Sequence, residues 1–287
     1  MLDPAWGVDV IIGGHSHTFI DEPAKVNDIL IVQAGTGTDQ VGRFDILVDT
    51  DNNCVAGYKW QAVPINEHTC PRDPAMDELI ESFKSKTDVK YGRIVTRFQW
   101  EMTHPKRTQE TEIGNLVSEI LRDSTGLDIM MFGSGAIRLT KLGPVVTFAN
   151  LTECFPYDDG LVMFKLSGSQ FKRLIRHMVR DEVWQGVHCE FYQLSKELNI
   201  TYNRTTKEFE RFDFGGEPMD DERIFSIGMH QWHYNNIEKS LGMSHEEIEK
   251  NMKPRVISTS IRDILDEYMT THQHLGQEVE GRLSIID

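Results

Sequence analysis

Across the first sixty residues the apolar positions come in short β-branched bursts, each closed by glycine, asparagine or aspartate. "VDVII" at 8–12 runs into Gly13-Gly14, and a second burst at about 29–34 runs through a Gly/Thr turn into a third at about 41–49. "CVAGYKWQAVPI" then reads as the hairpin partner of the third, with Asp51-Asn52-Asn53 as the turn. So few strands cannot cover both faces of a sheet. Their exposed edges at 8–12 and 29–34 call for a partner. Residues 64–74 hold three prolines and cannot continue a helix. Beyond them Met76, Leu79, Ile80 and Phe83 recur at helical spacing and predict one amphipathic helix. We place the boundary here, with an incomplete strand domain at 1–66, a linker and helix at 67–90, and a second domain at 91–287.

From about residue 90 the pattern becomes a regular α/β mixture. "EIGNLVSEILRDSTG" sets Ile113, Leu116, Val117, Ile120 and Leu121 on one helical face, with Gly126 at its end. "LDIMMFGSGAIR" is a buried strand entering a small-residue turn, "GLVMFKLSG" a second strand, and "SQFKRLIRHMVRDEV" a second helix. Further strands are expected at about 187–194, 198–204 and 223–229, and a helix near 255–272. The sequence holds neither an internal repeat nor a low-complexity tract.

Charge and composition narrow the classes. The formal net charge of −15 argues against a chain that coats nucleic acid. It leaves open a small anionic ligand, since placed arginines or a bound cation reverse the potential locally. No apolar run approaches ~18 residues, so no membrane span is expected. The first residues lack a basic segment followed by an apolar one, which points to the cytoplasm. Cys54, Cys70, Cys154 and Cys189 are widely spaced, so reduced, partly buried thiols are expected rather than a disulfide framework.

The candidate chemistry begins at "GGHSH". At a strand end, after paired glycines that allow close backbone approach, His15 and His17 can face one site. Imidazole suits zinc, manganese or iron, and two such ions clamp a phosphate and activate water. The plainer reading is a loop pair without metal, because no third or fourth ligand is specified nearby.

"DVIIGGHSHT" resembles the last metal-ligand motif of the calcineurin-like metallophosphoesterase domain of 5′-nucleotidases and UDP-sugar hydrolases. "QAGTGTDQVGRFDILVD" is similar to the strand pair that closes that domain. "ETEIGNL", "FGSGAIR" and "PYDDGLV" resemble, in the same order, three motifs of the 5′-nucleotidase C-terminal domain. The resemblance covers most of the chain. It implies an α/β protein made of a remnant of a metallophosphatase β-sandwich followed by a mixed α/β nucleoside-binding domain. It also implies that His15 and His17 belong to a dinuclear centre of manganese, zinc or similar ions. The family's Asp-x-His, Gly-Asp and Asn-His-Glu motifs have no counterpart in this sequence, so no catalytic residue is assigned. The chain reads as an N-terminally truncated member with about a quarter of the catalytic centre.

For the nucleoside the resemblance points to two flat side chains around the ring, each worth roughly 1–3 kcal/mol by analogy with base stacking. Tyr157 falls where the family places one aromatic. Trp232 stands where the other is expected, although the family's Gly-Gly-Asp-Gly segment is replaced by "HYNNIEK". Arg138 matches an arginine near the ribose and phosphate, a task that suits a planar fork of fixed charge. Arg107 is a second candidate, with a solvated surface arginine as its plain reading. Gly133 stands in place of a family asparagine and removes one ring contact. Asp159 either accepts from a base amine or caps its own turn. His104, His177, His188 and His245 read as surface or satisfied core residues, while His272 and His274 sit near a helix end that favours histidine. The resulting expectation is the nucleoside-binding part of a phosphohydrolase, inactive alone. A non-catalytic nucleotide-binding module is the alternative. Its partners would be a nucleoside or nucleotide and either a separately encoded metallophosphatase half or another copy of the chain.

Overall fold

The computed structural model describes residues 7–185 and 189–287. It divides into two compact units, Met1–Lys84 and Ser85–Asp287. In the first unit β1 (Val10–Ile12) pairs in parallel with β3 (Ile29–Val32), which pairs antiparallel with β2 (Ala24–Val26). The long strands β4 (Gln40–Asp49) and β5 (Cys54–Pro64) form a hairpin by themselves. The Asp49 carboxylate closes its turn by accepting the N–H groups of Asp51 and Asn52. Helix α1 (Pro74–Tyr91) follows. Its predicted apolar residues Met76, Leu79, Ile80 and Phe83 are exposed, and no residue of the helix is buried.

The second unit begins with β6 (Ile94–Arg97) and β7 (Met102–Thr103), then α2 (Glu112–Thr125), β8 (Ile129–Gly133), β9 (Lys141–Leu142), β10 (Val145–Thr147) and α3 (Phe148–Cys154). Next come β11 (Leu161–Ser167), α4 (Gly168–Met178), α5 (Asp181–Trp184), β12 (Tyr192–Leu194), β13 (Leu198–Asn203), β14 (Glu208–Phe214) and β15 (Glu217–Pro218). The unit closes with β16 (Ile224–His230), α6 (Gln231–Asn235), α7 (Ile237–Leu241), α8 (His245–Glu249), β17 (Arg255–Ser258), α9 (Ile261–Thr271) and β18 (Leu283–Ile286). The fold is α/β, as expected from the sequence.

Its centre is a five-stranded sheet in the order β12-β8-β16-β11-β17. Only β8 and β16 run parallel. Successive residues of β8 enter opposite cores, because side chains alternate across a strand. Ile129 and Met131 pack with Phe171, Leu174 and Ile175 of α4 and with Ile237 and Leu241 of α7. Met130 and Phe132 pack with Ile113, Leu116, Val117, Ile120 and Leu121 of α2 and Leu265 and Met269 of α9. A strand covered on both faces reads as an unbroken apolar run, which accounts for "DIMMF". Thr111 caps α2 by accepting the Gly114 N–H, and Gly126, at φ 67°, ends the helix in the left-handed conformation.

Two expected helices come out differently. The one expected at 169–183 breaks after Met178, where Val179 is the C-cap of α4 and Arg180 the N-cap of α5. The one expected near 255–272 begins as the edge strand β17, and only Ile261–Thr271 is helical. Val256 and Ile257 have the β-branched character of a strand, and Ser260 starts the helix by accepting the Asp263 N–H. Of the strand expected at about 187–194, Tyr192–Leu194 is found, while residues 187 and 188 lie outside the described residues. The four cysteines are free, but Cys54 and Cys70 are exposed rather than partly buried. Among the described residues no helix is long and apolar enough to cross a membrane.

Candidate functional site

The parallel pair decides where a site can form. β8 ends at Gly133 and β16 at His230, on the same edge of the sheet. Their antiparallel neighbours start there, with Leu161 opposite His230 and Tyr192 opposite Gly133. Residues 134–138, 157–160, 190–191 and 231–235 therefore converge at the carboxyl end of the parallel strands, the end where ligands bind in open α/β sheets. Arg138, Tyr157, Asp159 and Trp232 all lie on these segments.

The structure brings these four together in two linked pairs. The Arg138 guanidinium lies 5.9 Å from the centre of the Tyr157 ring, within cation–π range. Arg138 Nη1 also reaches the Gly135 carbonyl at 3.4 Å, and the Gly135 N–H donates to Glu190 Oε1 at 2.6 Å. In the second pair the Trp232 N–H donates to Asp159 Oδ2 at 2.7 Å. The other oxygen, Oδ1, accepts the Gly160 N–H at 2.9 Å. Tyr157 and Trp232 are 54% and 60% exposed. Neither large ring is needed to fill the core, and both are available to a flat ligand.

Two buried histidines, absent from the sequence-level list, form the floor. His230 Nε2 lies 3.2 Å from the Tyr157 carbonyl, so it carries the proton of that bond. The His233 ring meets Trp232 edge-on, with centroids 5.0 Å apart, and its Nδ1 lies 3.1 Å from the Tyr192 hydroxyl. Spacing offered one signal for them, a histidine on each side of Trp232 where a buried strand ends. At Gly133, where the resemblance places an asparagine, a Cβ would lie 2.1 Å from His233 Nε2. The imidazole fills the place that a side chain at 133 would take.

Burial holds these imidazoles neutral. His233 is pushed down to about 4 by desolvation, with the neighbouring His230 adding to the shift. His104, read from sequence as surface or satisfied core, is neither. It is buried, with Nδ1 2.9 Å from Thr111 Oγ1 and no partner for Nε2 among the described residues. Desolvation lowers it to about 4 as well, helped by the Arg107 charge. His177 Nε2 is likewise buried without a hydrogen bond among the described residues. His245 bonds to Glu238 and to the Tyr234 carbonyl, and His272 stacks on Tyr268. His188 lies outside the described residues.

A pH dependence follows from His104 and His233. Their folded pKa values lie below the ordinary 6.5, so the unfolded chain takes up these protons first as pH falls. Their contribution is complete above pH 6.5 and is lost as pH falls toward 4, by roughly 3 kcal/mol for His233 and less for the partly desolvated His104. Urea midpoints should fall between pH 6.5 and 5, and the double variant His104→Gln/His233→Gln should show a flatter decline. Equal slopes in the two proteins would contradict the assignment.

Three further residues are singled out by their sequence context. Arg107 is exposed on a turn, and no hydrogen bond or ion pair among the described residues joins it to Arg138, Tyr157, Asp159 or Trp232. His15 and His17 are exposed in the first unit at φ 65° and 60°, a left-handed backbone that is uncommon for non-glycine residues. Between them Ser16 bonds to the Gln33 side chain at 3.0 Å, which fixes the turn. Among the described residues no group of three or more histidines, cysteines or carboxylates is placed to hold a metal ion. Two exposed imidazoles without carboxylates do not fit a dinuclear centre.

The model of the family described as "5′-nucleotidase, C-terminal domain" matches residues 89–238, just over half of the chain and all four converging segments. The chain belongs to this family. Among similar proteins, the trifunctional nucleotide phosphoesterase protein YfkN of Bacillus subtilis is 28% identical over 185 residues, covering 59% of the chain and 12% of that protein. Mouse 5′-nucleotidase is 20% identical over 323 residues, covering 96% of the chain and 54% of that protein. The 5′-nucleotidase precursor of Thermus thermophilus superposes with a TM-score of 0.79 at 19% identity, over 98% of the chain and 60% of that structure. This last likeness concerns the fold. The family match lies within the second unit, and the chain spans only part of each relative's length.

Proposed function

We propose that the second unit recognises the nucleoside of a nucleotide substrate, as the binding part of a metal-dependent 5′-nucleotidase-type phosphohydrolase. The observation that carries this reading is the convergence of Arg138, Tyr157, Asp159 and Trp232 at the carboxyl end of β8 and β16. Two exposed rings beside a fixed cation suit a flat base linked to an anionic group. Arg107 is an outlying contact in this reading, reached by the phosphate rather than the ring. His15 and His17 would supply two imidazoles to a pair of divalent ions. Since these residues do not fit such a pair by themselves, the other ligands would have to come from outside this sequence. A nucleotide-binding module without catalysis is the second reading, in which the same two exposed rings and arginine hold a nucleotide without acting on it.

Calorimetric titration of adenosine, AMP, UMP and a UDP-sugar into the purified chain tests the recognition. Wild type is expected to bind at least one of them. Tyr157→Ala and Trp232→Ala should each weaken that binding about 10–100-fold, the equivalent of one stacking contact. Unchanged affinity in both variants would overturn the reading.

A further inference from the structure

Two rings as far apart in sequence as Tyr157 and Trp232 grip a ligand only if the backbones that carry them keep a fixed separation. We propose that Asp159 and His230 are positioning residues that tie the Tyr157 segment to the Trp232 segment, so that the two rings act as one recognition unit. This rests on the nucleoside reading above.

The bonds run between the two segments and leave little slack. The Asp159 carboxylate accepts the Trp232 N–H through one oxygen and the Gly160 N–H through the other, at 2.7 and 2.9 Å. The Gln231 N–H donates to the Gly160 carbonyl at 2.7 Å. His230, 3% exposed, donates from Nε2 to the Tyr157 carbonyl at 3.2 Å and sets its Nδ1 3.7 Å from Asp159 Oδ2. Gly160 lets the chains approach this closely, since a Cβ there would lie 2.5 Å from Gln231 Oε1 and 3.0 Å from the Ser258 carbonyl.

The adjacent carboxylate is committed elsewhere. Asp158 accepts from the Ser260 hydroxyl at 2.7 Å and pairs with Arg262 Nη2 at 3.1 Å, at the start of α9. The Asp-Asp pair thus anchors the Tyr157 segment on two sides, to α9 and to α6. Both oxygens accept backbone N–H groups, so Asp159 holds the Trp232 backbone in place whatever its remaining lone pairs accept. Of the two roles considered from sequence, a base contact or a cap of its own turn, the geometry favours neither alone.

Two measurements separate this proposal from the reading beneath it. The first needs no ligand. The Trp232 emission, taken as the difference between each protein and its Trp232→Phe counterpart, should become more readily quenched by acrylamide in Asp159→Ala and in His230→Phe. Asp159→Asn keeps one accepting oxygen and should fall between wild type and Asp159→Ala. The second is titration with adenosine, inosine and uridine. Asp159→Ala should weaken all three by about the same factor, near 10-fold, because the frame is lost and not one hydrogen bond to a base. A loss confined to adenosine would make Asp159 a direct contact of the amine and overturn the positioning role. So would unchanged quenching in both Asp159→Ala and His230→Phe. A wild-type chain that binds none of the three nucleosides refutes the nucleoside reading, and the quenching result then decides the bracket separately.

Discussion

Replacing Arg282 with methionine is expected to cost about 3–5 kcal/mol, the usual loss when one partner of a buried ionic cluster is removed. Arg282 is 2% exposed. Its Nη1 donates to Glu119 at 2.9 Å and to the Leu194 carbonyl at 2.7 Å, and its Nη2 donates to Glu280 at 2.8 Å. Its own N–H donates to Glu110, which also accepts from Glu280 N–H and Asn115 Nδ2. Methionine fills a similar volume but removes the nearest and most buried of the three cations around Glu119, leaving Lys196 Nζ and Arg122 Nη1 at 3.8 and 3.9 Å from an Oε2 that already lacks a hydrogen bond. The melting temperature should fall by roughly 10 °C, at about 2–4 °C per kcal/mol for a unit of this size. The double variant Arg282→Met/Glu119→Leu should recover most of that loss, since the apolar replacement of a whole buried pair is close to neutral. A single variant that melts within about 2 °C of wild type, less than one kcal/mol on that scale, would show that the cluster contributes little.

The second large effect is expected at Gly133. Placing an asparagine there, as Gly133→Asn, should destabilise the protein by about 3 kcal/mol, an overpacking cost at the high end of the common range. The new Cβ alone would lie 2.1 Å from His233 Nε2. That ring cannot simply swing aside, because Tyr192 bonds to its other nitrogen and Trp232 packs against it edge-on. Displacing it would disturb Trp232 as well, so on the proposed reading nucleoside affinity should fall with stability. The double variant Gly133→Asn/His233→Ala should regain most of the stability, and chemical denaturation of both proteins is the direct check. If Gly133→Asn alone proves as stable as wild type, His233 does not occupy that space in solution.

What was legible in the sequence follows the physical range of each signal. Helix α2 is legible because its apolar face and its terminal glycine lie within one stretch of chain. The strand at 129–133 was read from an apolar run that burial on both faces requires. The β17–α9 boundary was missed because a short edge strand and the first turn of a helix hold the same few apolar residues. Strands as short as β7 and β9 have no period to detect. In the candidate site the four residues on the converging segments were named from their motifs, but their connections were not. Asp159 reaches Trp232 only because β11 lies beside β16, a pairing that local sequence does not encode. His230 and His233 gain their character from burial, which is set by the sheet and not by their neighbours in sequence.

The exposed rings have an evolutionary consequence. Their backbones are held by carboxylates, histidines and strand pairing, while the rings themselves contribute little to the core. Tyr157 and Trp232 can therefore be exchanged for other side chains without rebuilding the loops that carry them. On the proposed reading, selection can retune what this domain recognises at two positions, and the scaffold inherits each change at small thermodynamic penalty.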